Sequence, residues 1–123
     1  MLKKRVLCVE DDSINAFIME KLLGDEYEIR VVSTGKECLE YAGNEKFDVI
    51  LLDINLGKGE KDGVHILGEL RKIRDYERAP VFAITSYALP GDEQAFLSQG
   101  FDSYLSKPVD KNRLRAEIKK FIR

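Results

Sequence analysis

The chain has 123 residues, a formal net charge of −2 and 34% charged residues, and a chain of this length favours one domain with a single core. It has no basic stripe that would indicate nucleic-acid binding, and no apolar run approaches the ~20 residues that a membrane span requires. The apolar stretch after the basic residues 3–5 stops at Glu10, so it is not a signal peptide. Cys8 and Cys38 are expected to be reduced and buried, which predicts a cytoplasmic protein.

Strand-like and helix-like segments alternate five times along the chain. Strands start near residues 5, 27, 48, 80 and 102, and helical patterns cover about 13–23, 34–43, 62–75, 90–98 and 110–122. This alternation is typical of an α/β fold with a parallel sheet. The runs 48–52 and 81–84 are apolar without alternation, as in central strands covered on both faces, whereas 27–32 alternates and suits an edge strand. A polar, glycine-containing loop at 55–62 is the one irregular element of the pattern.

Capping residues stand at the expected helix starts. Ser13 is placed to cap the first helix, Thr34 and Glu37 have the spacing of a capping box for the second, and Asp110 is placed to cap the last. These positions support the predicted boundaries between loops and helices.

Polar side chains follow four of the predicted strands at the point where each strand ends. Glu10 and Asp11 follow the first strand, Asp53 ends the third, Thr85 ends the fourth, and Lys107 follows the fifth. In open parallel sheets, ligands bind outside the carboxyl ends of the strands. The sequence therefore predicts one polar site at one edge of the sheet.

Three carboxylates in one crevice repel each other, and a divalent cation would remove that conflict. Magnesium, or manganese, prefers oxygen ligands of this kind. Asp11 and Asp53 are the best candidates for direct ligands, and Glu10 is expected to bind through water. A backbone carbonyl shortly after Asp53 would supply a further oxygen, and Asn55 is placed for it.

The remaining polar groups suit a reaction at phosphorus. A carboxylate such as Asp53, flanked by a metal ion and by Lys107 and Thr85, can act as a nucleophile and form an aspartyl phosphate. The metal and the lysine would offset charge on the transferring oxygens, so that catalysis would consist of positioning and electrostatics.

These motifs resemble the receiver domain of the two-component response regulators, the CheY-like superfamily, over essentially the whole chain. The resemblance rests on Val-Leu-Cys-Val-Glu-Asp at 6–11, Ile-Leu-Leu-Asp at 50–53, Ala-Ile-Thr-Ser at 83–86 and Tyr-Leu-Ser-Lys-Pro at 104–108. It implies a flavodoxin-like, doubly wound fold, in which five helices cover a five-stranded parallel sheet of order 2-1-3-4-5.

The resemblance also implies a role for each site residue. Asp53 would accept a phosphoryl group from a histidine kinase or a histidine phosphotransfer protein, while Thr85 and Lys107 would contact the phosphoryl oxygens. Tyr104 matches the aromatic switch position, which moves inward as Thr85 shifts, and the bond between Lys107 and Pro108 is expected to be cis.

The same resemblance assigns the metal site to Glu10, Asp11, Asp53 and the carbonyl of Asn55. Two features depart from the usual pattern. The first acid is Glu10, where aspartate is commoner, and the loop after Asp53 is longer than usual.

We therefore expect residues 1–123 to form a single receiver domain without an effector domain in this chain. The domain would be a regulatory switch that assists only its own phosphorylation and dephosphorylation. Its partners would be the phosphohistidine donor and a downstream protein target, with no nucleic acid and no membrane. We expect a monomer or a weak dimer that depends on phosphorylation.

Two other functions stay open from the residues alone. A magnesium-dependent phosphatase or hydrolase would use the same aspartyl nucleophile, but such enzymes usually carry a second acid at the position of Asn55. A pseudo-receiver would be a binding module that never takes phosphate, and the intact set of five site residues argues against it.

The first helix is unusually apolar for a helix that packs on a sheet through one stripe. Its apolar residues are Ile14, Phe17, Ile18, Met19, Leu22 and Leu23. Core packing is expected to take most of them, with Ile18 or Met19 left exposed beside the site. In receivers, that surface docks the helices of the kinase or the phosphotransfer protein.

Overall fold

Five strands and five helices alternate along the chain, as the sequence predicts. The computed structural model describes residues 3–54, 63–86 and 89–122. The strands are β1 (Arg5–Val9), β2 (Glu28–Val32), β3 (Val49–Asp53), β4 (Val81–Thr85) and β5 (Ser103–Ser106). The helices are α1 (Ser13–Leu23), α2 (Gly35–Asn44), α3 (Gly63–Arg71), α4 (Asp92–Ser98) and α5 (Lys111–Phe121). Among these described helices, none is long and apolar enough to cross a membrane.

The strands form one parallel sheet of order β2-β1-β3-β4-β5, which confirms the predicted doubly wound fold. β2 is an edge strand, as its alternating pattern predicts. β1 and β3 are hydrogen-bonded neighbours although β2 lies between them in the chain. The strand order therefore reverses beside β1, and the carboxyl ends of β1 and β3 meet there.

Two apolar layers cover the sheet, because alternate residues of each strand face opposite sides. Leu7 and Val9 of β1 belong to one buried cluster, and Val6 and Cys8 belong to the other. Every residue of β3 and β4 is buried, which confirms that these two strands are covered on both faces. Both cysteines are buried and free, also as expected.

The caps follow the prediction at two helices and differ at the first. The Thr34 hydroxyl accepts from the backbone N–H of Glu37 at 3.1 Å, and the Asp110 carboxylate accepts from that of Arg113 at 2.8 Å. The prediction that Ser13 caps α1 is wrong, because Asp12 is the cap. Its carboxylate accepts from the N–H of Ile14 at 2.8 Å, so the helix begins at Ser13, one residue earlier than a Ser13 cap would allow.

α3 ends at Arg71, so the predicted extension to residue 75 is wrong. The N–H groups of Lys72 and Ile73 donate to carbonyls three residues back, at 3.2 and 3.0 Å, which is a tightened turn rather than α-helix. Asp75 then adopts a left-handed conformation with φ of 77°. That conformation turns the chain out of the helical path toward β4.

Tyr76 ties together two connections at the amino end of the sheet. Its buried hydroxyl accepts from the N–H of Phe47 at 2.9 Å and donates to the carbonyl of Glu45 at 2.8 Å. Burial raises the pKa of this phenol. One side chain from the turn after α3 therefore fixes the backbone between α2 and β3.

Replacing Tyr76 by phenylalanine removes both of these hydrogen bonds and leaves the N–H of Phe47 buried without its acceptor. We expect the free energy of unfolding, measured by urea denaturation, to fall by ~1–3 kcal/mol. Tyr41→Phe is the control, because Tyr41 is a half-buried residue of α2 whose ring lies under Arg30. Equal stability of Tyr76→Phe and the control would contradict the prediction.

Candidate functional site

Four polar side chains meet at the carboxyl edge of the sheet. Asp53 and Thr85 are the last residues of β3 and β4, Glu10 follows β1 directly, and Lys107 follows β5 directly. Parallel register explains the meeting, since the ends of neighbouring strands lie side by side. Glu10, Asp53 and Thr85 are nevertheless buried, which is unusual for charged and polar residues.

The ammonium group of Lys107 lies between two carboxylates. Its Nζ donates to Glu10 Oε1 at 2.5 Å and to Asp53 Oδ2 at 2.9 Å. Glu10 and Asp53 are only 4% and 3% exposed. The lysine thus joins the ends of β1, β3 and β5 by charge-assisted hydrogen bonds.

Burial and ion pairing oppose each other in this cluster. Burial raises the pKa of Glu10, and although the Lys107 hydrogen bond acts against this, the net direction is upward. Burial lowers the pKa of Lys107, but the hydrogen bonds to Glu10 and Asp53 outweigh it and the net direction is also upward. The hydrogen bonds therefore favour the charged form of Lys107. For Glu10 they offset only part of the free-energy cost of removing its carboxylate from water.

Glu10, Asp11 and Asp53 form a group that fits a divalent cation. Each offers one carboxylate oxygen, and these oxygens all lie within 4.8 Å of one another. Three carboxylates share the crevice with the single ammonium group of Lys107, so the described cluster carries a formal excess of two negative charges. A hard, doubly charged ion with oxygen ligands suits this donor set.

Both carboxylate oxygens of Glu10 accept hydrogen bonds. Oε1 accepts from Lys107, and Oε2 accepts from the backbone N–H of Asp12 at 3.2 Å. Asp11, in contrast, is exposed. The expectation that Glu10 would approach a metal through water stays a prediction. Asn55, the fourth predicted ligand, lies outside the residues that the structure describes.

A backbone hydrogen bond holds Lys107 next to the end of β4. The N–H of Lys107 donates to the carbonyl of Thr85 at 2.8 Å. The peptide bond between Lys107 and Pro108 is cis, as the resemblance implies. The Thr85 side chain is almost fully buried at this point, where the fourth strand reaches the site.

Tyr104, the predicted switch residue, is buried, with 6% of its surface exposed. Its ring stacks on Phe96 of α4, with centroids 5.7 Å apart and an angle of 18° between the planes. Its hydroxyl has no hydrogen-bond partner among the residues that the structure describes. Burial raises the pKa of the phenol, and Asp92 and Glu93 add to the rise. No periodic pattern of apolar residues predicts the contact with Phe96, because the two residues lie on different elements.

The apolar residues of α1 divide between core and surface. Met19 and Leu23 are buried, whereas Ile14, Phe17 and Ile18 are 70%, 59% and 45% exposed. The expectation that the core takes most of the apolar side chains is therefore wrong for Ile14 and Phe17. The expectation that Ile18 or Met19 is left exposed beside the site is confirmed for Ile18. We call Ile14, Phe17 and Ile18 the α1 apolar patch.

Two cavities differ in their relation to the site. A small one of about 80 Å³ lies beside it and is lined by Glu10, Asn15, Ile18, Met19, Lys107 and Pro108, with Val109. A larger one of about 500 Å³ lies at the opposite edge of the sheet, near residues 46–48 and 75–80. Of the site residues, Glu10 and Lys107 line the small cavity and none lines the larger one, so volume does not identify the site here.

The fold and the site define a class of α/β protein with an acid–lysine cluster at the point where strand order reverses. The chain belongs to the response regulator receiver domain family, because a model of that family matches residues 6–119. Receivers are regulatory domains of two-component signalling, which accept phosphoryl groups and interact with histidine kinases and downstream targets. The resemblance stated from the motifs is thereby confirmed.

Individual relatives agree with this assignment. The polar-differentiation response regulator DivK of Brucella ovis is 31% identical over 122 residues, which cover 98% of both chains. The receiver domain of the sensor histidine kinase PA1611 of Pseudomonas aeruginosa PAO1 is 29% identical, with a TM-score of 0.85 and 97% of both chains covered. That crystal structure has a magnesium ion coordinated in its active-site cleft. The chemotaxis response regulator CheY4 of Vibrio cholerae is 25% identical, with a TM-score of 0.86 and coverage of 98% of this chain and 99% of that one.

The raised pKa of Glu10 predicts a pH dependence of stability. The folded state favours the protonated carboxyl, so this contribution is fully present below the ordinary glutamate pKa of about 4.3 and is lost as pH rises through the higher folded-state pKa. Glu10→Gln is neutral throughout. We expect the free energy of unfolding of the metal-free wild type to fall relative to Glu10→Gln as pH rises from about 4 to 7.

Urea denaturation in the presence of a chelator, at a series of pH values, measures this difference. Glu20→Gln on the exposed side of α1 is the control. A difference between wild type and Glu10→Gln that stays constant across the pH range would contradict the assignment.

Tyr104→Phe tests the unpaired hydroxyl. Because a buried polar group without a partner costs ~1–3 kcal/mol, its removal is expected to raise the free energy of unfolding by about 1 kcal/mol. Urea denaturation checks the sign, with Tyr76→Phe as the matched control in which the hydroxyl is paired. A loss of stability in Tyr104→Phe would mean that the hydroxyl has a stabilising partner.

Proposed function

We propose that this receiver accepts a phosphoryl group on Asp53 from a phosphohistidine of a histidine kinase or a histidine phosphotransfer protein, and acts as a phosphorylation-dependent switch. The observation that carries the proposal is the position of Asp53. This carboxylate is buried at the carboxyl edge of the sheet, is hydrogen-bonded to Lys107, and lies beside Glu10 and Asp11. Residues 1–123 would act as one receiver unit.

The proposed step forms one bond and breaks one. A carboxylate oxygen of Asp53 attacks phosphorus, the phosphorus–nitrogen bond to the histidine breaks, and its electron pair stays on the imidazole. Lys107 already donates to Asp53, so its ammonium lies within reach of a phosphoryl oxygen on the same carboxylate. Asp11, Asp53 and Glu10 would hold magnesium or manganese, which when bound offsets the negative charge of the phosphoryl oxygens.

The switch would be driven by hydrogen bonds that exist only in the phosphorylated state. Lys107 and the hydroxyl of Thr85 are the donors that we propose for the phosphoryl oxygens. Charge-assisted hydrogen bonds contribute ~1.5–3 kcal/mol each. Reversing a two-state population almost completely takes ~5.5 kcal/mol of differential stabilisation, so two or three such bonds are sufficient.

The α1 apolar patch supports a protein as the phosphoryl donor. Ile18 lines the small cavity together with Lys107, so the patch is continuous with the rim of the proposed phosphorylation site. Exposed apolar side chains next to a reactive centre suit a partner that must be positioned before transfer. We infer that the patch receives helices of the kinase or the phosphotransfer protein.

The other parts of the proposal concern the cellular location of the protein, its downstream target and its oligomeric state. The two free thiols favour a cytoplasmic location. The output would be a downstream protein target, reached by a monomer or by a weak dimer that forms on phosphorylation. We propose no role as an enzyme beyond the domain's own phosphorylation and dephosphorylation.

Intact-mass spectrometry after incubation with acetyl phosphate tests the phosphoryl acceptor. We expect one added phosphoryl group on the wild type, only when magnesium is present, and none on Asp53→Asn. Asp75→Asn is the matched control, since Asp75 is an exposed acid whose left-handed conformation asparagine also accepts. It should be phosphorylated to the same extent as the wild type.

Other outcomes would favour the two alternatives. No adduct and no beryllofluoride complex, with magnesium binding demonstrated, would favour a pseudo-receiver. Turnover of a phosphomonoester that requires Asp53 would favour a hydrolase.

A further inference from the structure

The C-terminal end of α1 is held by a side chain of α5. The Arg115 guanidinium donates to the backbone carbonyl of Leu22 through Nε at 3.3 Å and through Nη2 at 3.0 Å. The last carbonyls of a helix have no partner within the helix, so they need a donor from elsewhere. Here the donor lies 93 residues further along the chain. Arg115 therefore closes the last turn of α1 from outside that helix.

Ion pairs add to the same contact. Arg115 also pairs with Asp25 and with Glu26, the latter at 3.5 Å between Nη1 and Oε1, in the turn that follows α1. That Oε1 atom is buried and has no hydrogen bond among the described residues, so the ion pair with Arg115 is its compensation. Lys119 pairs with the other carboxylate oxygen of Glu26 at 3.6 Å. The Arg115 side chain is 22% exposed, which shields these pairs better than an ordinary surface pair.

α1 has few buried side chains that would hold it without this link. Of its 11 residues, Met19 and Leu23 are buried, whereas the α1 apolar patch is exposed. An isolated helix of this length is marginal in water, so α1 takes its position from tertiary contacts. The polar contacts of Arg115 therefore form a large part of what attaches the C-terminal end of α1 to the domain.

The two helices that Arg115 joins both begin beside the candidate site. α1 begins directly after Asp12, and α5 begins four residues after Lys107. The small cavity lies between them, because α1 lines one part of it and the connection from β5 to α5 lines another. At a rise of 1.5 Å per residue, Leu22 lies ~12 Å along the helix axis from Ile14 of the patch. A tilt of α1 at its Arg115 end would therefore displace the patch relative to Lys107.

We propose that Arg115 is a positioning residue that fixes α1 against α5, and with it the place of the α1 apolar patch and the width of the small cavity. The link itself stands on the geometry of the unphosphorylated domain. Its consequence rests on the proposed function and deepens it, because the patch is the surface that we propose for the phosphoryl donor. The donor then meets a surface that is already ordered, which lowers the entropic cost of association.

Pulsed EPR measures the position of α1 relative to α5 in the folded protein. Nitroxide labels on Ser13→Cys and Asn112→Cys, two exposed positions, place one probe on the first turn of each helix. The native Cys8 and Cys38 are buried, so they do not react with the label while the protein is folded. We expect Arg115→Ala to broaden the distribution of distances between the two labels. A general loss of stability would not change this distribution in the folded state.

Two further variants control the experiment. Lys120→Ala should leave the distribution unchanged, because the ion pair of Lys120 with Glu117 stays within α5. Arg115→Lys keeps a positive charge near Asp25 and Glu26 but lacks the guanidinium fork, so we expect a width between those of the wild type and Arg115→Ala. If Arg115→Ala does not fold, Arg115→Lys is judged by the same measurement.

Hydrogen exchange of the α1 amides gives the size of the effect. The loss of one hydrogen bond to a charged group corresponds to ~10-fold or more in an opening equilibrium. We therefore expect the α1 amides of Arg115→Ala to exchange ~10-fold faster than those of the wild type. An unchanged distance distribution would overturn the positioning role, and so would faster exchange that is confined to the last turn of α1.

Treating the unlabelled wild type with acetyl phosphate separates this inference from the proposed function. A broader distribution in Arg115→Ala, together with a wild type that takes no phosphoryl group, would uphold the link between the helices and refute the phosphoryl acceptor. An unchanged distribution, together with normal phosphorylation of the wild type, would refute the link alone.

Discussion

The ion pairs from Lys107 to Glu10 and Asp53 are the interaction on which the site depends. They cross between strands that are far apart in the chain, and they place one positive charge between two buried negative ones. Removing one partner of a buried pair typically costs ~3–5 kcal/mol, because the charges that remain have lost water without compensation. Within residues 3–54, 63–86 and 89–122, the fully buried charged residues are Glu10 and Asp53, and both lie where the carboxyl ends of the strands meet and Asp11 is exposed to solvent.

The same arrangement leaves part of the negative charge of the site uncompensated. One lysine cannot neutralise three carboxylates, so the charge of the described cluster suits a cation. The hydrogen bonds of Glu10 to Lys107 and to the N–H of Asp12 keep that residue in place whether or not a cation is bound. Lys107 is shared between two acids, and it can therefore turn toward new negative charge on one of them while still paired with the other.

The sequence was sufficient for the fold and for the meeting of the polar side chains. Buried strands with acid, hydroxyl and lysine at their ends constrain both the topology and the edge at which the side chains converge. The choice between neighbouring capping residues was harder to predict. Asp12 and Ser13 are both favourable N-cap residues, and Asp12 is the cap of α1 in the structure. The end of α3 depends on the left-handed Asp75, and no pattern of apolar residues encodes that conformation. The exposure of Phe17 and the stacking of Phe96 on Tyr104 depend on which surfaces remain after the helices pack, and this is a tertiary property.

Two buried tyrosines differ in the hydrogen bonding of their hydroxyl groups. Tyr76 has a donor and an acceptor for its hydroxyl, so leaving the core would break two hydrogen bonds as well as apolar contacts. The hydroxyl of Tyr104 has no hydrogen-bond partner in the described part of the chain, so leaving the core would break none there and would let the hydroxyl gain water. Its inward and outward positions are therefore closer in free energy than those of Tyr76.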